Sequence, residues 1–266
     1  MIKDLIEGRE LASWASNDLP GYWGREDAVR VEVVDGGFVL NGDMAAVPNA
    51  DGVDWILLAA HDAESVSHFL LPSKTDGVSF EPLENMDITR PRLNVRLDNV
   101  RLGESALVGA LGGAPAEITR QVQVAIPLAV SQSIGAMRAI IDIANAHARS
   151  RIAFGRPIGS FQAVKHMLVD ASLGIEMSAA MRDSAVRAVD EAHSDATEIV
   201  SMTKAFVART SIDVAHAAWQ VFGGMAYMWE HEFHLYLRRL TGDAAFLGTE
   251  AWHNEFVVAL HEEAEK

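Results

Sequence analysis

Two short segments carry most of the residues in this chain that could hold a charged ligand. The first runs Arg151-Ile152-Ala153-Phe154-Gly155-Arg156-Pro157-Ile158-Gly159-Ser160-Phe161-Gln162. The second is Gln220-Val221-Phe222-Gly223-Gly224, followed at a short distance by Arg238-Arg239. A guanidinium makes paired hydrogen bonds to phosphate oxygens, and a diglycine lets a backbone approach a cofactor closely. Taken singly, each feature has an ordinary reading: an Arg before a helix is usually solvated, and Gly-Gly after a helix is usually a stop signal. Proton transfer would need a carboxylate, and Glu230, Asp243 and Glu250 all follow the second segment. His231, Glu232 and His234 read as surface residues of a helix start, so no metal is expected. Zero cysteines remove thiolate ligands, disulfides and a cysteine nucleophile, and agree with a reducing cytoplasm.

The elements that must position these residues fall into two kinds. From residue 26 to about 110 the pattern is that of a small antiparallel β-domain. Val29 to Val34 and Phe38 to Leu40 flank an Asp35-Gly36-Gly37 hairpin, and strands follow at Trp55 to Ala60, Ser67 to Leu71, Val78 to Pro82 and Leu93 to Val100. Past Gly112-Gly113 the apolar period lengthens to about 3.6 residues. Helices are expected over Ala116 to Ser150, Ser160 to Glu191, Asp195 to Val221 and Ala244 to Glu263, with a short one over Glu230 to Leu240. Asp195 and Glu198 read as a capping box. The fold class is therefore α+β, with segment 1–25 lacking a clear period, a β-domain over 26–110 and a C-terminal four-helix bundle over 114–266. Ten Met and Ala-rich helices suit a bundle core.

A formal net charge of −15 opposes nucleic-acid binding, which rests on Lys and Arg neutralising phosphates. Apolar runs such as Val124 to Val130 fall far short of the roughly 20 residues that span a bilayer. A soluble protein without a membrane span or leader is expected.

Both chemistry-bearing segments, in this order and separation on helical elements behind a β-domain, resemble the signatures of the acyl-CoA dehydrogenase family. The resemblance covers residues 10 to 263 and leaves no counterpart for that family's N-terminal helical domain of roughly 110 to 120 residues. It implies a flavin enzyme in which FAD lies between β-domain and bundle and is completed by a neighbouring subunit's bundle. Arg151 would then meet the neighbour's FAD pyrophosphate, with Phe154 and Gln162 as packing and polar contacts. Gln220, Gly223 and Gly224 would take the adenine side.

The same resemblance marks what is missing. Family members remove the α-proton of an acyl thioester with a Glu, while hydride passes from Cβ to the flavin. That Glu precedes a Gly-Thr pair, nine residues after an Arg, and counting from Arg238 gives Leu247. Leucine takes no proton. Where members carry the base on the first bundle helix, alignment on Arg120 and Pro127 gives Thr119, with Glu117 about 200° round the helix. Ala46 and Pro48 stand where the family's Trp and Thr line its own flavin, Leu11 to Pro20 shows no match to the preceding loop, and Ala251 replaces a polar residue. The resemblance therefore points to the non-catalytic subunit of a heteromeric enzyme, similar to the α2β2 acyl-CoA dehydrogenases of actinobacterial sterol side-chain breakdown. A full-length partner would carry the base, and the acyl group would be bulky, as in a steroid thioester. Two alternatives stand beside it: a self-sufficient dehydrogenase with a displaced base among Glu250, Asp243 and Glu230, and a flavin-free structural subunit.

Overall fold

The computed structural model describes residues 2–15, 29–63 and 65–264. The chain divides into two compact units, Met1–Gln121 and Val122–Lys266.

The first unit opens with a short helix α1 (Ile2–Ile6) and strand β1 (Ala12–Ala15), followed by β2 (Val29–Val34) and β3 (Gly37–Pro48). Residues 16–25 of the segment expected to lack a period lie outside the described residues. Gly36, at φ +77, makes the turn between β2 and β3, as Asp-Gly implies. Then come β4 (Trp55–His61), β5 (Val66–Pro72), β6 (Val78–Leu83), β7 (Arg92–Gly103) and β8 (Leu107–Val108). They form one sheet in the order β6-β7-β3-β2-β4-β5-β8, with β1 added against β4. Alternation fixes the buried face: Ile56, Leu58 and Ala60 of β4 and Leu93, Val95 and Leu97 of β7 point into one apolar core. In β7 the buried positions change parity after Leu97 and resume at Val100 and Leu102. The cause is Asn99, which takes φ +51 while its amide donates to Asn41 Oδ1 at 2.7 Å.

The sheet is antiparallel, as expected, apart from two short parallel pairings. β1 runs parallel to β4 over four residue pairs, and β2 meets β4 in one parallel pair, Arg30 with His61. Ala12–Ala15 buries Ser13 and Ala15, but its residue types, Ala-Ser-Trp-Ala, show no apolar alternation in sequence, and no hairpin turn signal sets its direction.

The second unit is helical. α2 (Ala114–Ser150) begins in the first unit and continues through the second. A small hairpin of β9 (Ile152–Ala153) and β10 (Arg156–Pro157) follows, then α3 (Gln162–Asp190), α4 (Ala196–Phe222), α5 (Phe233–Ala245) and α6 (Glu250–Ala264). α2 is long and apolar enough to cross a membrane by composition, but Ile134, Met137, Ile140, Ile141 and Ala144 are buried on its inner face, as in a core helix.

Two sequence expectations shift here. The short helix extends to Ala245, and the last helix starts at Glu250 instead of near Ala244. Phe246 and Leu247 continue the apolar period, but Leu247 at φ +61 and Gly248 at φ +98 break the helix. Asp195 is the N-cap of α4 yet makes no side-chain cap hydrogen bond. Its carboxylate lies 3.9 Å from His193 Nδ1 instead.

Candidate cofactor-binding site

The last turn of α2 carries His147, and Arg151 follows the helix with its amide bonded to the His147 carbonyl at 2.8 Å. The chain then reverses through the β9–β10 hairpin, whose turn is Phe154 at φ +54 and Gly155 at φ +78. A bulky side chain in the left-handed region is strained by about 1–2 kcal/mol. Phe154 is nevertheless 95% exposed, with its ring edge-on to Phe161 at 6.1 Å. Arg156 lies 4.1 Å over the Phe161 ring and fixes the hairpin against the start of α3, where Gln162 is exposed.

The second segment closes α4. Gln220 is exposed, and Gly223 ends the helix at φ +65, a conformation that favours glycine. A side chain at Gly223 or Gly224 would meet nothing within 4 Å, so the backbone there faces open space.

His147 joins the two segments. Its ring stacks on Phe222 at 4.3 Å, and Phe222 meets His231 at 4.7 Å. Burial first, and then the Arg151 guanidinium and the neighbouring His231, lower the His147 pKa below the ordinary imidazole value. A neutral ring therefore sits between the Arg151 side and the end of α4. His147 was missed from sequence, because a single His in a helix carries no periodic signal, and His231, read there as a surface residue, is half-buried against Phe222. His231 and His234 serve the local backbone: His231 Nδ1 accepts from the Phe233 amide at 3.1 Å, and His234 Nε2 lies 3.2 Å from the Trp229 carbonyl.

An exposed guanidinium, an exposed ring, two exposed amides and an open diglycine suit a dinucleotide's pyrophosphate and base.

The residues around position 247 are arranged differently. Leu247 is 1% exposed, and its neighbour Gly248 could not carry a side chain, since a Cβ would lie 2.5 Å from His253 Nε2. His253 Nε2 is 2.7 Å from the Leu247 carbonyl and Nδ1 is 2.8 Å from Ser201 Oγ. A carbonyl only accepts, so Nε2 carries the proton and Nδ1 accepts from Ser201. One turn along α4, buried Lys204 donates to the carbonyls of Asp243 and Ala244 at 3.2 and 3.0 Å, closing the end of α5. Burial, partly offset by the Asp243 carboxylate, pushes Lys204 down to about 8. Sequence reading passed over Lys204 and His253, whose types normally mark surface.

Burial holds His253 down at about 4, against the favourable bond to Leu247. Between about pH 6.5 and 4 the unfolded chain therefore binds more protons at this site than the folded one, and stability falls as pH falls through that window. The shift from 6.5 to about 4 corresponds to about 3 kcal/mol. In urea unfolding at pH 7 and pH 4.5, His253→Gln should lose distinctly less stability on acidification than the unsubstituted chain. Equal losses would remove His253 from the account.

The displaced-base candidates sit in three different settings. Glu250 lies 3.5 Å from Arg209 in a groove of about 530 Å³ between α4, α5 and the start of α6. Asp243 is buried and Glu230 is exposed. In the first unit, Glu117 faces His68, with Oε2 3.2 Å from Nδ1. Ala46 takes φ +56 at a register shift of β3 against β7, and the Pro48 carbonyl accepts from Ser13 Oγ at 2.6 Å.

A sheet unit is thus followed by a helical unit that carries both segments. The family model described as "Acyl-CoA dehydrogenase, C-terminal domain" matches residues 118–259, and the chain belongs to the acyl-CoA dehydrogenase family. It is 30% identical to acyl-CoA dehydrogenase IpdE2 of Mycolicibacterium smegmatis over 79% of this chain and 57% of that protein, so it spans little more than half of that relative's length. A putative acyl-CoA dehydrogenase of Mycobacterium smegmatis superposes with a TM-score of 0.92 over 98% of this chain and 70% of its own, at 21% identity. Butyryl-CoA dehydrogenase of Megasphaera elsdenii superposes with a TM-score of 0.88 over 97% and 69%, at 20% identity.

Proposed function

We propose that this chain is the non-catalytic subunit of a heteromeric, α2β2 acyl-CoA dehydrogenase acting in the cytoplasm. It lends the pyrophosphate and adenine side of an FAD site to a full-length partner that carries the catalytic Glu. One observation carries the reading: Arg151, Phe154, Gln162 and Gln220 stand exposed, whereas the base's position holds a buried Leu247. When bound, FAD accepts the hydride of an α,β-desaturation. Arg151 neutralises pyrophosphate charge, Phe154 packs against the cofactor, and Gln162, Gln220, Gly223 and Gly224 supply polar contacts and close backbone approach. Leu247 has no group that removes an α-proton, so the partner does. Nothing in these residues selects the acyl group. A bulky acyl-CoA such as a steroid side-chain thioester follows from the family resemblance.

A second reading has one observation in its favour: Glu250 lines the 530 Å³ groove, so it could act as a displaced base in a self-sufficient enzyme. The two readings separate in the purified chain. Without a partner it should show no flavin absorbance and no turnover of acyl-CoA thioesters. Stoichiometric FAD with turnover that disappears in Glu250→Gln would replace the heteromeric reading with the self-sufficient one.

A further inference from the structure

Arg151 and the diglycine stand at the ends of different helices, and a ring pair ties those ends together. Arg151 is bracketed by backbone bonds on its own side: its amide donates to the His147 carbonyl at 2.8 Å, and its carbonyl accepts from the Ile158 amide at 2.9 Å. Ser150 Oγ donates to the Ala146 carbonyl at 3.0 Å, which satisfies an acceptor in the last turn of α2. Those bonds fix Arg151 to α2 and the hairpin, and none of them reaches α4. The His147 ring does. It lies 26° from parallel to Phe222 at 4.3 Å between centroids, and Phe222 is the residue directly before Gly223. Phe222 is buried and backed by Phe233 at 4.9 Å and His231 at 4.7 Å, so it offers the half-buried imidazole a fixed surface.

An aromatic pair at this spacing is ordinarily core packing. This one is set apart by its place. The imidazole stands one helical turn before Arg151, and its partner abuts the glycine that ends α4 at φ +65. Helix ends fray, and a ligand that bridges two loose ends loses affinity to the entropy of ordering them. A dinucleotide whose pyrophosphate meets Arg151 and whose base meets Gln220, Gly223 and Gly224 bridges these two ends. Holding them together beforehand removes that cost from its binding. Burial and the Arg151 guanidinium keep the ring uncharged near neutrality, so it adds no positive charge to repel Arg151.

We infer that His147 is a positioning residue of the cofactor surface, its stack on Phe222 holding Arg151 at a fixed spacing from Gly223 and Gly224 so that one dinucleotide meets both. This rests on the heteromeric reading, and the two fail separately. The tagged chain is co-expressed with the full-length acyl-CoA dehydrogenase that brings FAD, the flavin is stripped, and affinity for re-added FAD is read by flavin fluorescence. His147→Ala should weaken FAD by about 3- to 10-fold, the factor one aromatic pair carries, while the heteromer stays assembled on gel filtration. His147→Phe should restore the affinity, because a flat ring stacks again. His147→Leu fills the space without a face to stack and should not. In an Arg151→Ala background His147→Ala should cost little more, because no phosphate contact is left to position. Where His147→Ala fails to fold, the comparison of Phe with Leu carries the test. Leu holding FAD as well as Phe overturns the inference, and so does a fully additive loss in the Arg151 double variant. Unchanged affinity in His147→Ala, with Arg151→Ala still losing flavin, overturns it and leaves the cofactor reading standing. Full flavin occupancy in Arg151→Ala overturns the cofactor reading and the inference with it.

Discussion

Gly248→Ala should destabilise the chain by about 3–5 kcal/mol, one of the largest effects available to a single methyl group. Gly248 takes φ +98, and the added Cβ would lie 2.5 Å from His253 Nε2, 2.8 Å from its Cδ2 and 2.9 Å from Trp252 Cε3. His253 cannot swing aside freely, because its two nitrogens are spent on the Leu247 carbonyl and Ser201 Oγ. Relief therefore breaks buried hydrogen bonds or strains the turn. Urea midpoints check this, and a double variant adding His253→Ala locates the obstacle. Removing the imidazole should make the alanine at 248 much less harmful, so the two effects fall well short of additive. Full additivity would place the clash elsewhere. The turn that holds Leu247 is thus fixed by His253 of α6, itself held by Ser201 of α4, even though the residue it presents has no acid-base chemistry.

Arg151→Ala should weaken FAD retention in the heteromer by about 10- to 100-fold, the loss of one charge-assisted contact to phosphate at about 1.5–3 kcal/mol. The side chain is exposed, so the substitution should leave the chain folded. Arg151→Lys should recover only part of the affinity, because an ammonium lacks the two-pronged geometry of guanidinium. Flavin absorbance per heteromer after gel filtration reads the effect. Full flavin occupancy in Arg151→Ala would favour a structural subunit that has lost its part in cofactor binding.

How far these features could be read from sequence differed by kind. Strands β2, β3, β4, β5 and β7 and helices α2, α3 and α4 carried their own period, because one face of each is buried. β1 did not, since its four residue types show no apolar alternation and parallel pairing leaves no turn signature. The α5–α6 boundary was misplaced because Phe246 and Leu247 keep the helical apolar spacing, and only backbone angles reveal the turn. Asp195 had the right type for a cap, but its side chain makes no cap hydrogen bond. Arg151, Phe154, Gln162, Gln220 and the diglycine could be singled out as candidates because they stand together in two motifs, and the structure adds that the four side chains are exposed. His147 could not be singled out, since its role depends on Phe222 and His231 from distant parts of the chain. Lys204 could not either, because a lysine in an Ala-rich helix gives no sign that its ammonium is buried against carbonyls.

The most direct test of the division of labour is the flavin count of the purified heteromer. Co-purification with a full-length acyl-CoA dehydrogenase should give one FAD per pair of unlike subunits, and the chain alone should give none. Two FAD per pair, or one FAD on this chain by itself, would contradict the account.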